Sequence, residues 1–163
     1  MPIHRIAFLS ISIWLLGCSS NPQQSNEPGT IDPRTEGAFT FHQIDGDSYP
    51  GDPVPEGAVM MYHWPILKSC SIESTEQRRE MFKALDDGIA EAGRSSSDLM
   101  PDCFNPRHAI RVDHEGVQTD WLICFQCRNY EIREDGRVVG GGALSNTPRK
   151  LFNEILDECA PSP

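Results

Sequence analysis

The sequence predicts an α+β domain, in which a small antiparallel sheet in the order β-β-α-β-β-β-α carries two helices packed on one face. Two segments repeat apolar residues every three or four positions, as amphipathic helices do. Five short segments rich in aromatic and β-branched residues are bounded by turn-forming residues, as the strands of an antiparallel sheet are. The chain of 163 residues has room for one hydrophobic core. We therefore expect a single domain over residues 38–160 and a short tail at 161–163.

Residues 1–17 resemble the export signal of a bacterial lipoprotein. The apolar run from Ile6 to Leu15 fits a signal peptide and is shorter than the roughly 20 residues of a membrane-spanning helix. The run ends in a sequence similar to a lipobox, although Leu16 stands where a smaller residue is usual. The pattern predicts cleavage before Cys18 and acylation of Cys18, with palmitate among the acyl chains. The alternative is an ordinary secretory signal followed by an incidental cysteine.

Residues 18–37 form a polar segment that is expected to connect the lipid to the domain. The segment is rich in Ser, Asn, Gln, Pro and Gly, which favours a flexible tether. Ser19, directly after Cys18, resembles the signals that send lipoproteins to an outer membrane. We expect a domain in the bacterial cell envelope, anchored by lipid to the outer membrane or to a periplasmic face.

The first half of the domain is predicted to contain two strands and a helix. Ala38–Ile44 alternates weakly and is short enough for an edge strand. Ala58–Cys70 is apolar and aromatic, which predicts a strand interrupted at Pro65. Ser74 begins a capping box, and Gly93 ends the helix that follows it. The predicted buried stripe of this helix consists of Met81, Phe82, Leu85, Ile89 and Ala92.

The second half is predicted to be a three-stranded meander followed by a helix. The strands run from Phe104 to Val112, from Thr119 to Ile132, and from Arg137 to the Gly140–Gly142 run that ends the meander. Thr147 and Pro148 stand in the preferred order for a helix start. The buried stripe of this last helix consists of Leu151, Phe152, Ile155, Leu156 and Cys159.

A two-residue loop at Glu115-Gly116 fixes the register of the first hairpin in this meander. It places Ile110 opposite Trp121, His108 opposite Ile123, and Arg107 opposite Cys124. The face that carries the core then contains Ile110, Val112, Trp121, Ile123 and Phe125. The opposite face, which we expect to be partly open, contains Arg107, Arg111, Leu122 and Cys124.

Five cysteines remain in the domain, and export to an oxidising compartment lets them pair. Three interpretations compete. The first is disulfide bonding of Cys103 with Cys127 or Cys124, and of Cys70 with Cys159. The second is a structural zinc bound by Cys103, His108, Cys124 and Cys127. The third is redox activity of Cys124-Phe-Gln-Cys127. We favour them in this order, because a thioredoxin-like motif lies at a helix N-terminus and this one is predicted to lie within a strand.

Arg107 and His108 are candidate ligand-binding residues, because an arginine beside a histidine can bind a carboxylate or a phosphate. The competing interpretation is that Arg107 pairs with an acid and His108 belongs to the core. The formal charge of −10 argues against binding to nucleic acid or to anionic lipid. The chain contains no nucleophile elbow, P-loop or metalloprotease motif, which argues against an enzyme.

Two sequence blocks resemble those of a group of small uncharacterised bacterial exported proteins and lipoproteins. The blocks are Cys-Phe-x-Pro-Arg-His, present as residues 103–108, and Ile-Cys-Phe-x-Cys, present as residues 123–127. The resemblance covers roughly the span from Phe39 to the last helix. It implies a whole single domain with both blocks in one local unit, and it implies no activity.

These observations predict a membrane-tethered binding or structural domain that is not an enzyme. Its partners would be the membrane, through the lipid on Cys18, and an envelope protein or a small ligand. No cofactor is expected, unless zinc occupies the cysteine cluster. The alternative is an enzyme or thiol-redox protein that uses Cys103, His108, Cys124 and Cys127.

Overall fold

In the computed structural model, residues 32–94 and 103–159 are described, and they contain one antiparallel sheet of seven strands and two α-helices. The predicted signal sequence and Cys18 lie outside these residues. A short 3-10 helix at Pro33–Thr35 precedes the first strand. The elements then follow as β1 (Ala38–Ile44), β2 (Met60–Met61), β3 (Trp64–Ser71), α1 (Thr75–Arg94), β4 (His108–His114), β5 (Val117–Cys124), β6 (Asn129–Glu134), β7 (Arg137–Ala143) and α2 (Arg149–Glu158).

Strand β1 lies inside the sheet, so its predicted place at an edge is wrong. The strand order is β2-β3-β1-β4-β5-β6-β7, and β1 pairs with both β3 and β4. Phe39 and Phe41 are buried in one core cluster, whereas Ile44 is buried in another. The weak alternation of this segment is explained by burial on both faces, since an interior strand needs apolar residues on each of them.

The predicted strand over residues 58–70 is interrupted earlier than expected. The chain turns at Tyr62, whose φ of 58° lies in the left-handed region, and β2 and β3 pair on either side of this turn. Pro65 lies within β3, opposite Met60, and its carbonyl accepts a hydrogen bond from the backbone N–H of Asp45. Proline fits here because β2 is a two-residue edge strand and the sheet loses little by the missing donor.

The predicted strand over residues 119–132 is in fact two strands. Strand β5 ends at Cys124 and β6 begins at Asn129, with a turn over the intervening residues. Arg128, which completes this turn, has a φ of 58°. The Cys124–Cys127 segment therefore lies in a tight turn at the end of the sheet. The prediction that Cys124-Phe-Gln-Cys127 lies within a strand is wrong, and so is the reason it gave for disfavouring a redox role.

The predicted hairpin turn at Glu115-Gly116 is confirmed, and a second turn of the same kind follows later in the chain. Glu115 and Gly116 have φ values of 51° and 83°, as the two central residues of a type I′ turn require. The predicted register follows, with Ile110 paired with Trp121 and His108 with Ile123. The turn at Asp135-Gly136 joins β6 to β7 with the same pair of positive φ values.

Two clusters of buried residues hold the domain together. The larger cluster contains residues of both helices and the predicted core residues of the β4–β5 hairpin, and it is joined by Cys70 and Leu144. The smaller cluster lies on the opposite face of the sheet, around Ala109 of β4 and its partner Leu122 of β5. It consists of Ile44, Met61, Trp64, Ala109 and Leu122. The face predicted to be partly open is thus partly covered by the β2–β3 hairpin.

The helix starts were predicted with mixed success. The Ser74 hydroxyl accepts a hydrogen bond from the backbone N–H of Gln77 at 3.3 Å, as expected for an N-cap. The predicted cap of α2 is wrong: Pro148 occupies the N-cap position and no side chain caps the helix. The hydroxyl of Thr147 instead donates a hydrogen bond to Glu91 in α1.

Part of the predicted tether belongs to the folded domain. The Arg34 guanidinium lies 4.6 Å from the centre of the Phe82 ring and bonds both carboxylate oxygens of Asp86 in α1, at 2.8 and 2.7 Å. Thr35 is buried, and Arg78 donates to its carbonyl oxygen at 3.0 Å. Composition alone missed this docking, because the contacts are made by polar residues and one buried hydroxyl rather than by an apolar stripe.

The Gly140–Gly142 run continues a strand instead of ending one. All three residues lie within β7. A Cβ atom on Gly141 would lie 2.7 Å from the backbone oxygen of Tyr130, so only glycine allows β7 to approach β6 this closely.

Among the helices of the described residues, none is long and apolar enough to cross a membrane.

Candidate functional site

A polar cleft opens where α2 passes the ends of β1, β3 and β4. Its volume is about 420 Å³. Gln43 in β1 pairs with Lys68 on one side and His108 on the other, so these three residues form a row across adjacent strands. The opposite wall comes from one face of α2. We call this feature the basic cleft; it is lined by Gln43, Lys68, Asn105, Arg107, His108, Phe125, Gln126, Arg149, Asn153, Leu156 and Asp157.

The cleft concentrates positive charge in an acidic protein. Lys68, Arg107 and Arg149 line it, against one carboxylate, Asp157, whereas the whole chain carries a formal charge of −10. The guanidinium of Arg149 makes no hydrogen bond or ion pair with the residues that the structure describes. Because a cation without a partner is best satisfied by water or by an anion, Arg149 is available to a ligand.

The other two cations are partly engaged. Lys68 donates a hydrogen bond to the backbone oxygen of Leu156, near the C-terminus of α2, where a cation is favoured by the helix dipole. Arg107 bonds the Asp47 carboxylate at 2.7 and 3.0 Å, in a pair whose side chains are about half exposed. Surface pairs of this kind are worth at most about 1 kcal/mol, so Arg107 can exchange Asp47 for another anion at little cost.

His108 forms the inner wall of the cleft and is almost fully buried, with 8% of its surface exposed. It stacks on Phe41 at 6.0 Å and contacts the edge of Phe125 at 5.1 Å between ring centres. Its Nε2 lies 3.0 Å from Oδ1 of Asn153, so Nε2 carries the proton in this arrangement. Its Nδ1 is buried and has no partner among the described residues.

Burial keeps His108 neutral at physiological pH. Loss of hydration, together with the charges of Arg149 and Arg107, lowers the pKa of His108 to about 4, although the hydrogen bond with Asn153 opposes the shift. The neutral ring adds no charge to the cleft, and its Nδ1 is an acceptor buried beneath the cleft surface. The positive charge that attracts an anion therefore comes from the outer walls.

The two candidate ligand-binding residues, Arg107 and His108, are brought to the same cleft. The competing interpretation also describes real contacts, since Arg107 pairs with an acid and His108 packs among aromatic rings. Sequence reasoning missed Lys68, Arg149 and Asn153. The one signal it could have used is Lys68, a lone charge in the apolar strand β3.

Three sulfur atoms meet at the end of the β4–β5 hairpin. Cys103 and Cys127 form a disulfide with Cα atoms 5.6 Å apart, as one of the predicted alternatives. Cys124 is a free, buried thiol, and its Sγ accepts a hydrogen bond from the backbone N–H of Cys127 at 3.0 Å. All three Sγ atoms lie within 4.8 Å of one another. We call this group the three-sulfur cluster; it consists of Cys103, Cys124 and Cys127.

His108 does not join the three-sulfur cluster. Among the described residues, the atoms near Cys124 that could bind a metal ion are the sulfurs of the three cysteines themselves. His108 pairs with Ile123 and packs against the larger core cluster. Cys124 is the next residue of β5 after Ile123, so its side chain points to the opposite face of the sheet. Two of the sulfurs are also engaged in the disulfide. The four residues proposed for zinc are therefore not assembled as a ligand set.

The second predicted disulfide, between Cys70 and Cys159, is present. The Cα atoms lie 5.9 Å apart, and the two cysteines are 89 residues apart in sequence. The bond ties β3 to the end of α2. It thereby holds the two walls of the basic cleft, because Lys68 lies on that strand and Asp157 on that helix.

A buried carboxylate on the other face of the sheet also escaped the sequence reasoning. Asp120 has no exposed surface and accepts hydrogen bonds from Arg111 at 2.7 and 2.8 Å, Tyr62 at 2.7 Å and Gln118 at 3.0 Å. Burial, followed by the hydrogen bond to Asp120, raises the pKa of Tyr62. With four donated bonds the carboxylate is satisfied, so we interpret it as structural.

Comparisons of the chain with protein-family models, with curated proteins and with solved structures found no match.

Proposed function

We propose that this protein is a non-enzymatic binding domain of the bacterial envelope, held at a membrane surface by a lipid on Cys18, whose basic cleft binds a small anionic ligand. The observation that carries the proposal is the collection of Lys68, Arg107 and Arg149 around one cleft in a chain with a formal charge of −10. Arginine binds carboxylates and phosphates through paired hydrogen bonds, so these two groups are the ligand chemistry that fits.

The placement of the cleft depends on how the helices cover the sheet. We infer that α1 and α2 pack on the same face, because Phe82 of α1 and Phe152 of α2 join one core cluster with Phe41 and Trp121 of the sheet. The rings of Phe41 and Phe152 meet edge to face at 5.4 Å. With α2 fixed in this way, Arg149 and Asn153 face the strand ends that carry Lys68 and His108.

His108 closes the inner end of the cleft without adding a contact to the ligand. Its Nε2 is engaged with Asn153 and its Nδ1 is buried. The ligand is therefore expected to be held by the cations of the outer walls, and a carboxylate or a phosphate group meets this requirement.

Binding of inorganic phosphate and of citrate, measured by calorimetry and by nuclear magnetic resonance of the Asn153 side chain, tests the proposal. We expect Arg149→Gln to weaken binding about 10- to 100-fold, the usual effect of losing a hydrogen bond to a charged group of 1.5–3 kcal/mol. Arg149 lies at the surface, and its guanidinium makes no hydrogen bond or ion pair with described residues, so the variant should fold normally.

Lys150 provides a matched control. It is the next residue of α2, its side chain is 86% exposed, and it pairs with Glu154 at 3.6 Å outside the basic cleft. Lys150→Gln removes the same charge from the chain and should leave binding unchanged. Equal weakening in both variants would indicate attraction to net charge alone, and no binding of either anion to the parent protein would refute the proposed site.

A further inference from the structure

We propose that the three-sulfur cluster is a thiol–disulfide exchange centre, in which the buried thiol of Cys124 displaces Cys103 from its disulfide with Cys127. Exchange needs a free thiol close to a disulfide, and the structure provides both, with all three Sγ atoms within 4.8 Å. This inference is independent of the ligand of the basic cleft, since none of the three cysteines lines that cleft.

The local fold makes the new bond easy to form. Cys124 and Cys127 are the two ends of one tight turn, and the N–H of Cys127 already donates to Sγ of Cys124 at 3.0 Å. Cys103 approaches from a separate segment, held by a hydrogen bond of 3.0 Å from Nδ2 of Asn129 to its backbone oxygen. A Cys124–Cys127 bond would therefore close within the turn, without moving either strand of the hairpin.

The exchange conserves electrons and atoms. Cys124 gives up its thiol proton, and its sulfur attacks Sγ of Cys127. The Cys124–Cys127 bond forms as the Cys103–Cys127 bond breaks, and Cys103 leaves as a thiolate that takes up the proton. One disulfide and one thiol are present before and after the step, so no oxidant or reductant is consumed.

Exposure determines which cysteine leaves. Cys103 is partly exposed, whereas Cys127 has no exposed surface and Cys124 has 1%. The negative charge of a leaving thiolate is stabilised by water, so attack at Cys127 with Cys103 leaving is favoured over attack at Cys103 with Cys127 leaving. The exchange thus moves the free thiol from a buried position to the surface.

The thiol exposed on Cys103 gives the protein a reaction with external disulfides. Attack of the Cys103 thiolate on a disulfide RSSR would form a mixed disulfide, Cys103–S–S–R, and release RS⁻, which takes up the proton that Cys103 gave to water and becomes RSH. The co-reactant is a disulfide, small or protein-borne, of the kind that an oxidising compartment contains. In the pairing described by the structure, the same reaction would have to occur at the buried Cys124.

Trapping with iodoacetamide tests the inference. The full chain carrying Cys18→Ser, so that only domain cysteines contribute, is incubated with iodoacetamide in its native state and digested without reduction. We expect the alkyl group to accumulate on Cys103, together with a Cys124–Cys127 disulfide. Alkylation confined to Cys124, or a Cys103–Cys127 disulfide that persists after complete alkylation, would overturn the proposal.

Two variants separate exchange from simple exposure. Cys124→Ser removes the attacking thiol and should abolish alkylation of Cys103, while both disulfides remain. Cys103→Ser leaves Cys124 and Cys127 to pair with each other, and we expect no free thiol in the folded protein. Two free thiols in Cys103→Ser would show that Cys124 and Cys127 do not form a disulfide. Alkylation of Cys103 in Cys124→Ser would show that Cys103 is released without attack by Cys124. Either result would overturn the proposal.

Discussion

At the residue scale, the structure depends on a few polar side chains that are buried and almost fully paired. Arg78 is the clearest example in α1. It is 8% exposed, and it donates to the backbone oxygens of Ile72, Thr35 and Gly37 at 2.6, 3.0 and 3.0 Å. The bonds to Thr35 and Gly37 join the start of the helix to the segment before β1. Each bond from a charged donor contributes about 1.5–3 kcal/mol, which explains how a segment of polar composition becomes part of the domain.

Asp120 should be the most sensitive of these polar residues. Asp120→Asn keeps the shape of the side chain but leaves the Arg111 guanidinium without its counter-charge in a half-buried site. We expect a loss of about 3 kcal/mol in the free energy of unfolding, the lower end of the range for breaking a buried ion pair. Urea unfolding followed by circular dichroism would measure it.

Asp113→Asn is the matched control for this change. Asp113 lies in the same hairpin but is exposed, so its loss should change stability by less than about 0.5 kcal/mol. If the two variants were equally stable, the Asp120 network would have no structural role.

His108 should make the protein less stable in acid. Its pKa is about 4 in the folded protein, against 6.5 in the unfolded chain, so only the unfolded chain gains a proton between these values. Stability contributed by the neutral ring is therefore complete above pH 6.5 and decreases as the pH falls toward 4. The expected loss is about 3 kcal/mol at pH 4, from 1.36 kcal/mol per pKa unit.

The measurement is urea unfolding at several pH values for the parent and for His108→Phe. We expect the variant to lose about 3 kcal/mol less than the parent between pH 7 and pH 4, whatever its stability at neutral pH. His42, whose pKa burial also lowers to about 4, contributes equally to both proteins. His114→Gln, at the exposed end of the hairpin, should retain the steep dependence of the parent.

At the element scale, the contacts between elements are set by residues whose size matters more than their polarity. Gly88 lies at a close contact between α1 and the segment before α2. Its carbonyl accepts a hydrogen bond from the Ser145 N–H at 3.0 Å, and a Cβ atom there would lie 2.7 Å from Cγ of Pro148. The ring of Pro148, at the N-cap of α2, is joined to the backbone and cannot move without shifting the start of this helix.

Gly88→Ala should therefore destabilise the protein in spite of the better helix propensity of alanine. We expect a loss of about 1–3 kcal/mol from overpacking, measured by thermal or urea unfolding. Gly93→Ala, in the same helix, is the comparison. No atom lies within 4 Å of a Cβ at Gly93, so this variant should be neutral or more stable by up to about 1 kcal/mol. Equal effects at both positions would contradict the close packing at Gly88.

The turn between β5 and β6 has the largest consequence for the chemistry of the domain. It begins directly after Cys124, the last residue of β5, so that Cys127 does not continue the strand and the sulfurs of both cysteines lie on one side. In a continuous strand, residues three apart point to opposite faces and could not share a disulfide. The exchange proposed above is thus a property of this turn, which is completed by Arg128 in a left-handed conformation.

At the scale of the whole molecule, two disulfides hold together segments that are distant in the chain. The bond between Cys70 and Cys159 closes a span of 89 residues, and the bond between Cys103 and Cys127 a span of 24. Closure of long spans restricts the unfolded chain and stabilises small exported domains by several kcal/mol. The longer bond also fixes the distance between the two walls of the basic cleft.

The proposed attachment to a membrane is a property of the whole chain, and acylation of Cys18 tests it. In a bacterial host fed radiolabelled palmitate, we expect label in the parent protein and none in Cys18→Ala. Cys124→Ser should keep the label, since Cys124 is buried in the folded domain. Label that persists in Cys18→Ala would place the lipid elsewhere or refute the lipoprotein assignment.

Local patterns in the sequence were sufficient for much of the architecture. The Glu115-Gly116 turn, the register of the β4–β5 hairpin and the first turn of α1 were all predicted correctly. Each depends on the φ, ψ preference or side-chain period of a few consecutive residues, which the sequence contains in full. Pairing of Cys70 with Cys159 was predicted from export to an oxidising compartment and is present, whereas the partner of Cys103 was left open between Cys127 and Cys124.

The interior position of β1 and the composition of the basic cleft were determined only by the tertiary structure. Lys68, His108 and Arg149 belong to three elements, and nothing in the pattern of any one of them specifies which strand β1 pairs with or which residues α2 faces. Such pairings are selected by the burial of apolar surface summed over the whole chain, in which each local segment has only a small share. The sequence alone thus determined the Glu115-Gly116 turn, the helix faces and the available thiols, whereas folding determined which charges and sulfurs meet.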